Sequence, residues 1–407
     1  MKVVVVGSGG REAVLAEVLG RSAEVVVTPG NPGIPGSVAT PPEDLDADLF
    51  VIGPEVPLVD GLADRLRAAG KRVFGPGADG ARLEGSKAWM KEVVEAAGVP
   101  TARHRAFTDA DEAIAFLHTL PAPWVVKTDG LAAGKGVLVT HDLADAEADV
   151  RTKLAGASFG DAGRTVVIEE GMTGPEVSVF AICDGHDAVV LPPAQDFKRV
   201  GDGDTGPNTG GMGAYSPLPW LPDGFADDVL ARFIRPTLVE LARRGIDYRG
   251  ALYAGLMVTP AGPKLVEFNV RFGDPDSQVV LLRLTSDLAE LLAEAADGRL
   301  RSTPTVAPDA AVLVVAAAEG YPSTPRTGDV IEGLEAARSV PGASVFTAGV
   351  ALDDEGRLVT AGGRVLNVVG RGPDVEAARR VAYAAMSRIS WPGMHHRRDI
   401  AARLPVA

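Results

Sequence analysis

Val3-Val4-Val5-Val6-Gly7-Ser8-Gly9-Gly10-Arg11-Glu12 reads as a strand, a glycine turn and the first turn of a helix. Consecutive β-branched residues without polar alternation are the pattern of a parallel strand covered on both faces. Outward from this run the same units recur. A helix is expected over 11–19, strands over 24–27 and 48–52, a helix over 58–69 and a short strand over 72–74. Strand, turn, helix, strand is a doubly wound parallel sheet, whose ligands lie beyond the carboxyl ends of its strands. A dinucleotide fingerprint fails here, because Glu12 stands where the third glycine belongs and no acid closes the second strand. A glycine turn opening a helix still presents free N–H groups to a phosphate monoester, with Arg11 as an added cation. The plainer alternative is a tight strand-to-helix turn.

Further along, an amphipathic helix over 86–98 leads into a second α/β unit with strands over 124–128, 136–140, 165–170 and 176–184. A helix near 145–154 interrupts them. The Gly/Pro/Asn/Asp-rich stretch 202–219 promises little secondary structure, and loops that long tend to be functional. A helix over 227–243 and strands over 251–258 and 263–268 follow. Beyond a polar linker at 299–308, strands over 310–317, 345–350 and 364–369 and a helix over 375–389 make a small β-rich domain. The expected division is an α/β domain over 1–98, a larger domain over 99–300 with a lid subdomain at about 120–184, and a β-rich domain over 301–407.

The chain has 407 residues, with 40 Lys and Arg against 54 Asp and Glu, a formal charge of −14. That balance argues against nucleic acid or an anionic membrane as partner, so anionic small substrates need locally placed cations. Cys183 is the single cysteine and lies in an alternating strand pattern, which excludes an intrachain disulfide and reads as an inert buried thiol. The apolar run at the N-terminus is too short for a signal peptide or a membrane span, so a cytoplasmic protein is expected. His395 and His396 lie in a basic tail segment and read as solvated surface.

Three stretches carry chemistry. Lys127-Thr128-Asp129-Gly130-Leu131-Ala132-Ala133-Gly134-Lys135-Gly136 resembles a P-loop but has three residues between its glycines, and Gly136 replaces the hydroxyl residue. A glycine-rich hairpin with a lysine at each end suits a lid over a triphosphate. In Glu267-Phe268-Asn269-Val270-Arg271, alternate side chains share one face of a strand, so Glu267 and Asn269 offer two oxygen ligands. Magnesium takes such a pair together with phosphate oxygens and water. Arg271 continues the row and suits a carboxylate; a structural Glu–Arg pair is the alternative. The strand ending Glu169-Glu170-Gly171-Met172, with Glu176 beyond, offers backbone to an adenine edge and carboxylates to ribose. Gln195-Asp196-Phe197-Lys198-Arg199 and Asn208-Thr209-Gly210-Gly211 add charges of both signs and close-approach glycines.

Taken in order, these stretches resemble glycinamide ribonucleotide synthetase, a family of ATP-grasp ligases. Gly9-Gly10-Arg11-Glu12, Pro29-Gly30-Asn31, Gly53-Pro54-Glu55, Leu83-Glu84-Gly85-Ser86-Lys87, the runs 129–136 and 198–215, Glu267-Phe268-Asn269, 271–275 and Arg326-Thr327-Gly328-Asp329 carry the likeness. It covers nearly the whole chain. The resemblance implies a pre-ATP-grasp domain, an ATP-grasp α+β domain with its lid, and the β-rich C-terminal domain. It implies ligation of glycine to 5-phosphoribosylamine with ATP, through a glycyl phosphate, by a monomer or weak dimer. Lys87, Lys127, Gly134, Lys135 and Gly136 would hold phosphates, and Glu169, Glu170, Gly171, Met172 and Glu176 adenosine. Glu267 and Asn269 would carry magnesium, or manganese in its place. Gly9, Gly10, Arg11, Glu12 and Glu55 would face phosphoribosylamine. Asp196, Lys198, Asn208, Thr209, Gly210, Gly211, Arg271 and Asp274 would face glycine and ribose. Lys135 and Arg271 are the expected catalytic residues. The chain departs from the family at Ala13, where a histidine is usual, and in the short stretch between Gly30 and Gly53. The remaining alternatives are a ligase for another acid and amine, and a nucleotide-binding regulatory module.

Overall fold

In the computed structural model, which describes residues 1–131, 136–156 and 164–405, Val3, Val4 and Val5 are wholly inaccessible to solvent. Strand Lys2–Gly7 lies between Glu24–Pro29 and Leu49–Ile52, with Val73–Phe74 at the edge, all parallel. Helix Gly10–Leu19 starts directly after the turn. Gly7 sits at φ +132, and a side chain there would run into the Glu12 carboxyl. The single helix expected over 58–69 is instead two, Glu55–Val59 and Leu62–Ala68. Gly61 between them adopts φ +75, a left-handed conformation that ends a helix. The short stretch after Gly30 holds only the three-residue turn Pro42–Asp44, in keeping with its length.

Helix Lys87–Ala96 is capped by Ser86, whose hydroxyl accepts the Trp89 N–H at 3.1 Å. It follows helix Ala78–Gly85, which the sequence reading leaves out. Two antiparallel sheets come next. One orders His104–Phe107, Val166–Glu170, Trp124–Thr128 and Val137–Thr140. Helices Ala110–Leu117 and Leu143–Leu154 cover it over a separate core of Phe107, Leu117, Val126, Val150 and Ile168. The other orders Ala188–Val190, Glu176–Asp184, Arg249–Thr259 and Gly262–Asn269. The expected lid range of about 120–184 therefore spans strands of both sheets.

The stretch 202–219 differs from expectation. Thr205–Asn208 pairs with Arg199–Gly201, and the fully buried Gly213–Ser216 pairs with Ala310–Ala317. Together with Gln195–Asp196, Arg364–Gly372 and Ala343–Thr347 these make a five-stranded antiparallel sheet. Its glycine and proline content hides a strand that only a distant partner specifies. The strand expected over 345–350 is two, Ala343–Thr347 and Val350–Leu352. The helix expected over 227–243 runs from Phe225 to Arg243 with a widened turn at Leu230–Ile234, just before Pro236, which has no N–H to donate. Helices Asp276–Leu281 and Leu288–Ala296 were not foreseen.

The basic tail is not solvated surface. Arg397 is 1 % exposed and pairs with Asp204 at 2.6 Å and Asp399 at 2.7 Å, while His395 Nε2 lies 2.8 Å from the Val200 carbonyl. One of its counter-charges, Asp204, comes from nearly two hundred residues away, which the local run of cations cannot reveal. Cys183 is buried, and burial pushes its thiol well above the ordinary range, as an inert role requires. Among the described residues no helix is long and apolar enough to cross a membrane.

Candidate active site

The turn after the first strand makes one end of the site. Glu12 folds back on its own helix: its Oε2 accepts the Gly9 N–H at 2.6 Å and its Oε1 the Arg11 Nε at 2.6 Å. Arg11 also donates to the Phe272 carbonyl at 3.2 Å. Gly10 packs against Asn367, and a Cβ there would overlap the Asn367 amide. Gly10→Ala is therefore expected to cost about 1–3 kcal/mol, the ordinary penalty of overpacking. Chemical denaturation measures it; an unchanged midpoint would show that the contact yields.

Asp274 gathers groups from two segments. Its Oδ1 accepts from Gln278 at 2.7 Å and from Asn367 at 3.4 Å, and its Oδ2 pairs with Arg364 at 3.0 Å. Burial raises its carboxyl, but Arg364 and the neighbouring donors outweigh that and hold it below the ordinary carboxylate range. Arg364 Nη1 also donates to the carbonyls of Gly210 and Asp274, each at 2.7 Å. So Gly9, Gly10, Asp274, Gly210 and Gly211 come together, fastened by Arg364 and Asn367, two residues of the expected C-terminal strand to which the sequence assigns no role. An Asn inside the apolar run 365–369 was the available signal. Thr209 bonds back to the Lys198 carbonyl at 2.7 Å, whereas Asn208 is exposed.

Arg271 is shared among acids. It reaches Glu84 at 2.9 Å, Glu55 at 3.3 Å and the Asn269 Oδ1 at 3.3 Å. Glu84, quoted in a motif but given no role, also accepts the Val270 N–H at 2.8 Å.

The lysines occupy the middle. Lys87 donates to the Gly130 carbonyl at 2.8 Å, and Asp129 accepts from Ser86 and from the Ala88 N–H at 3.1 Å each. The start of the glycine hairpin is thus tied to a helix N-terminus. Gly134 and Lys135 lie outside the described residues; Gly136 closes the hairpin base through Thr128 N at 2.8 Å. Lys127 Nζ pairs with Glu169 Oε1 at 2.9 Å, and Lys91 Nζ pairs with Glu169 Oε2 at 2.9 Å. All three are buried. Burial favours a neutral Glu169, yet Lys127 and then Lys91 hold its carboxyl at about 2. Burial brings the Lys91 ammonium down to about 8 against the pull of Glu169. Each oxygen of Glu169 thus has an ammonium nitrogen at 2.9 Å.

Beyond Glu169, Glu170 pairs with Lys264 at 3.0 Å and accepts the Arg103 N–H at 3.1 Å. Gly171 N donates to the Pro123 carbonyl at 2.8 Å, and Met172 is half-buried beside it. Glu176 pairs with Lys198 at 2.9 Å. Burial pushes the half-buried Asp196 up to about 8, with Lys198 opposing and Asp276 adding to the rise.

Glu267 stands apart. Its half-buried carboxylate takes no hydrogen bond or salt bridge from any described residue, yet Lys198, Lys127, Lys87 and Arg271 together outweigh burial and lower its pKa. Asn269, two residues on, is 8 % exposed. Among the described residues no cluster of three or more His, Cys, Asp or Glu side chains could cage a metal. One carboxylate and one amide oxygen fit a magnesium ion that brings phosphate and water ligands with it.

Residues 1–84, 85–277 and 311–403 match the models of the N, ATP-grasp (A) and C domains of phosphoribosylglycinamide synthetase. A phosphoribosylamine–glycine ligase of Xanthomonas axonopodis pv. citri is 49% identical, over 98% of this chain and 97% of its own. That of Streptomyces coelicolor is 48% identical over 99% of each. The crystal structure of a phosphoribosylamine–glycine ligase from Thermotoga maritima superposes with a TM-score of 0.87 at 34% identity, covering 98% of this chain and 100% of the other. The biotin carboxylase domain of Hydrogenobacter thermophilus 2-oxoglutarate carboxylase, solved with MgADP, ADP and bicarbonate, shares the fold at TM-score 0.73 and 17% identity, covering 97% of this chain and 91% of that one.

Proposed function

The chain belongs to the phosphoribosylglycinamide synthetase family, and from that premise we propose that it joins glycine to 5-phosphoribosylamine with ATP in the cytoplasm, in de novo purine synthesis. The observation that carries the reading is the unpaired Glu267 carboxylate among Lys198, Lys127, Lys87 and Arg271. A polyphosphate with its metal would bring anionic oxygens to those cations and a cation to that carboxylate.

A carboxylate is a poor electrophile, so a glycine oxygen attacks the γ-phosphorus of ATP, the bond to the bridging oxygen breaks, and ADP leaves. The amine nitrogen of phosphoribosylamine then attacks the carbonyl carbon of the glycyl phosphate. The amine gives up a proton and phosphate departs as the C–O bond breaks. Phosphoryl transfer asks mainly for position and charge neutralisation. Lys87, Lys127 and Lys135 supply charge to the phosphates. Glu267 and Asn269 would hold magnesium, which when bound offsets charge on the terminal phosphates. The Glu170–Met172 backbone suits the adenine edge, with Glu176 near the ribose. Arg271 takes the glycine carboxylate by exchanging one of its acidic partners for it. The Gly9–Glu12 turn, Glu55 and Asp274 face phosphoribosylamine, and the Asp196–Lys198 and Asn208–Gly211 segments border glycine.

Phosphate release is the direct test. With ATP and magnesium, release that requires both glycine and phosphoribosylamine is expected, in equal amounts with glycinamide ribonucleotide. Release indifferent to glycine, or none with all substrates present, would overturn the reading.

A further inference from the structure

We infer that Lys91 is a positioning residue of the nucleotide site, holding Glu169 so that Lys127 keeps charge to spare for a phosphate. The inference rests on the reading that Lys127 meets ATP. Lys91 lies on the inner face of helix Lys87–Ala96, 1 % exposed, where a lysine is expected only with partners. Its ammonium donates to Glu169 Oε2 at 2.9 Å and to Thr101 Oγ1 at 2.8 Å, and Thr101 in turn donates to the Leu265 carbonyl at 2.7 Å. On the other side of Glu169, Lys127 pairs at 2.9 Å and also donates to the Val266 carbonyl at 3.3 Å, next to Glu267. One chain of contacts thus crosses the helix, two strands of the lid sheet and the strand that bears Glu267.

Charge decides what this chain does. Two ammonium groups share one carboxylate, so the buried group carries one net positive charge. Such a charge is costly away from water unless an anion completes it. Lys91 reaches the strand bearing Glu267 only through Thr101, whereas Lys127 contacts that strand directly at the Val266 carbonyl, beside Glu267. The surplus is therefore expressed at Lys127. Remove Lys91, and Glu169 and Lys127 form a neutral pair whose lysine is fully committed to its carboxylate. The nucleotide then loses a phosphate contact although no residue touching it has changed.

The test compares ATP with adenosine, which lacks phosphates. Lys91→Met is expected to raise KM for ATP by about 10-fold, the scale of one charge-assisted hydrogen bond. KM for glycine and competitive inhibition by adenosine should hold, and Lys91→Arg should restore part of the loss. If Lys91→Met fails to fold, the same ratio is read on Lys91→Arg, whose forked head shifts the charge and should weaken ATP but not adenosine. Equal weakening of ATP and adenosine, or of neither, overturns the inference. Lys127→Met separates the two levels: if it leaves ATP affinity intact, the reading of Lys127 itself is wrong. If it weakens ATP while the Lys91 variants do not, only the role of Lys91 fails.

Discussion

Glu267→Gln is expected to lower glycine-dependent phosphate release at least ~10-fold at saturating ATP, by weakening metal-assisted charge stabilisation. The substitution keeps the shape of the side chain and removes its charge. No described residue hydrogen-bonds to that carboxylate, so the substitution leaves no donor without its acceptor. A carboxamide is a poorer ligand for a hard cation than a carboxylate, so the magnesium concentration for half-maximal rate should rise as well. Phosphate release measured across a magnesium titration checks both effects. Unchanged turnover with an unchanged magnesium dependence would remove Glu267 from the metal site.

Glu169→Gln should act on stability as strongly as Glu267→Gln acts on rate. It strips the shared counter-charge from two buried ammonium groups. Breaking a buried ionic cluster in this way costs about 3–5 kcal/mol. Urea denaturation gives the value, and a change below about 1 kcal/mol would mean that the lysines find other partners. The pH dependence has a definite sign. The Glu169 carboxyl lies at about 2 when folded and near its ordinary value of about 4.3 when unfolded. Its contribution is therefore present above the unfolded value and is lost as pH falls toward about 2. Over that acid range the Gln variant should lose stability less steeply than the parent.

What the sequence made legible follows the range of each signal. The run of valines before Gly7 is local, and it was enough to fix the parallel sheet because no exposed strand tolerates such a run. Glu267, Asn269 and Arg271 were placed on one face by the period of a strand, and Asn269 and Arg271 indeed touch. Groups that matter through distant partners stayed hidden. Lys91 on an amphipathic helix looks like solvated surface until Glu169 arrives from another strand. Arg364 and Asn367 sit in an ordinary apolar strand, and only the fold brings them to Asp274. The strand Gly213–Ser216 and the buried Arg397 were missed for the same reason, since each has a partner remote in the chain. The break at Gly61 was readable in principle, because a glycine between two short helical runs is a usual stop.

The account turns on a polyphosphate being gathered by Lys87, Lys127 and Glu267. A crystal structure with magnesium and a non-hydrolysable ATP analogue tests this most directly. The metal should lie at about 2.0–2.1 Å from a Glu267 carboxylate oxygen, with phosphate oxygens completing its octahedron, and Lys87 and Lys127 within hydrogen-bond reach of the phosphates. A nucleotide bound elsewhere, or bound here with Glu267 touching neither metal nor metal-bound water, would contradict it.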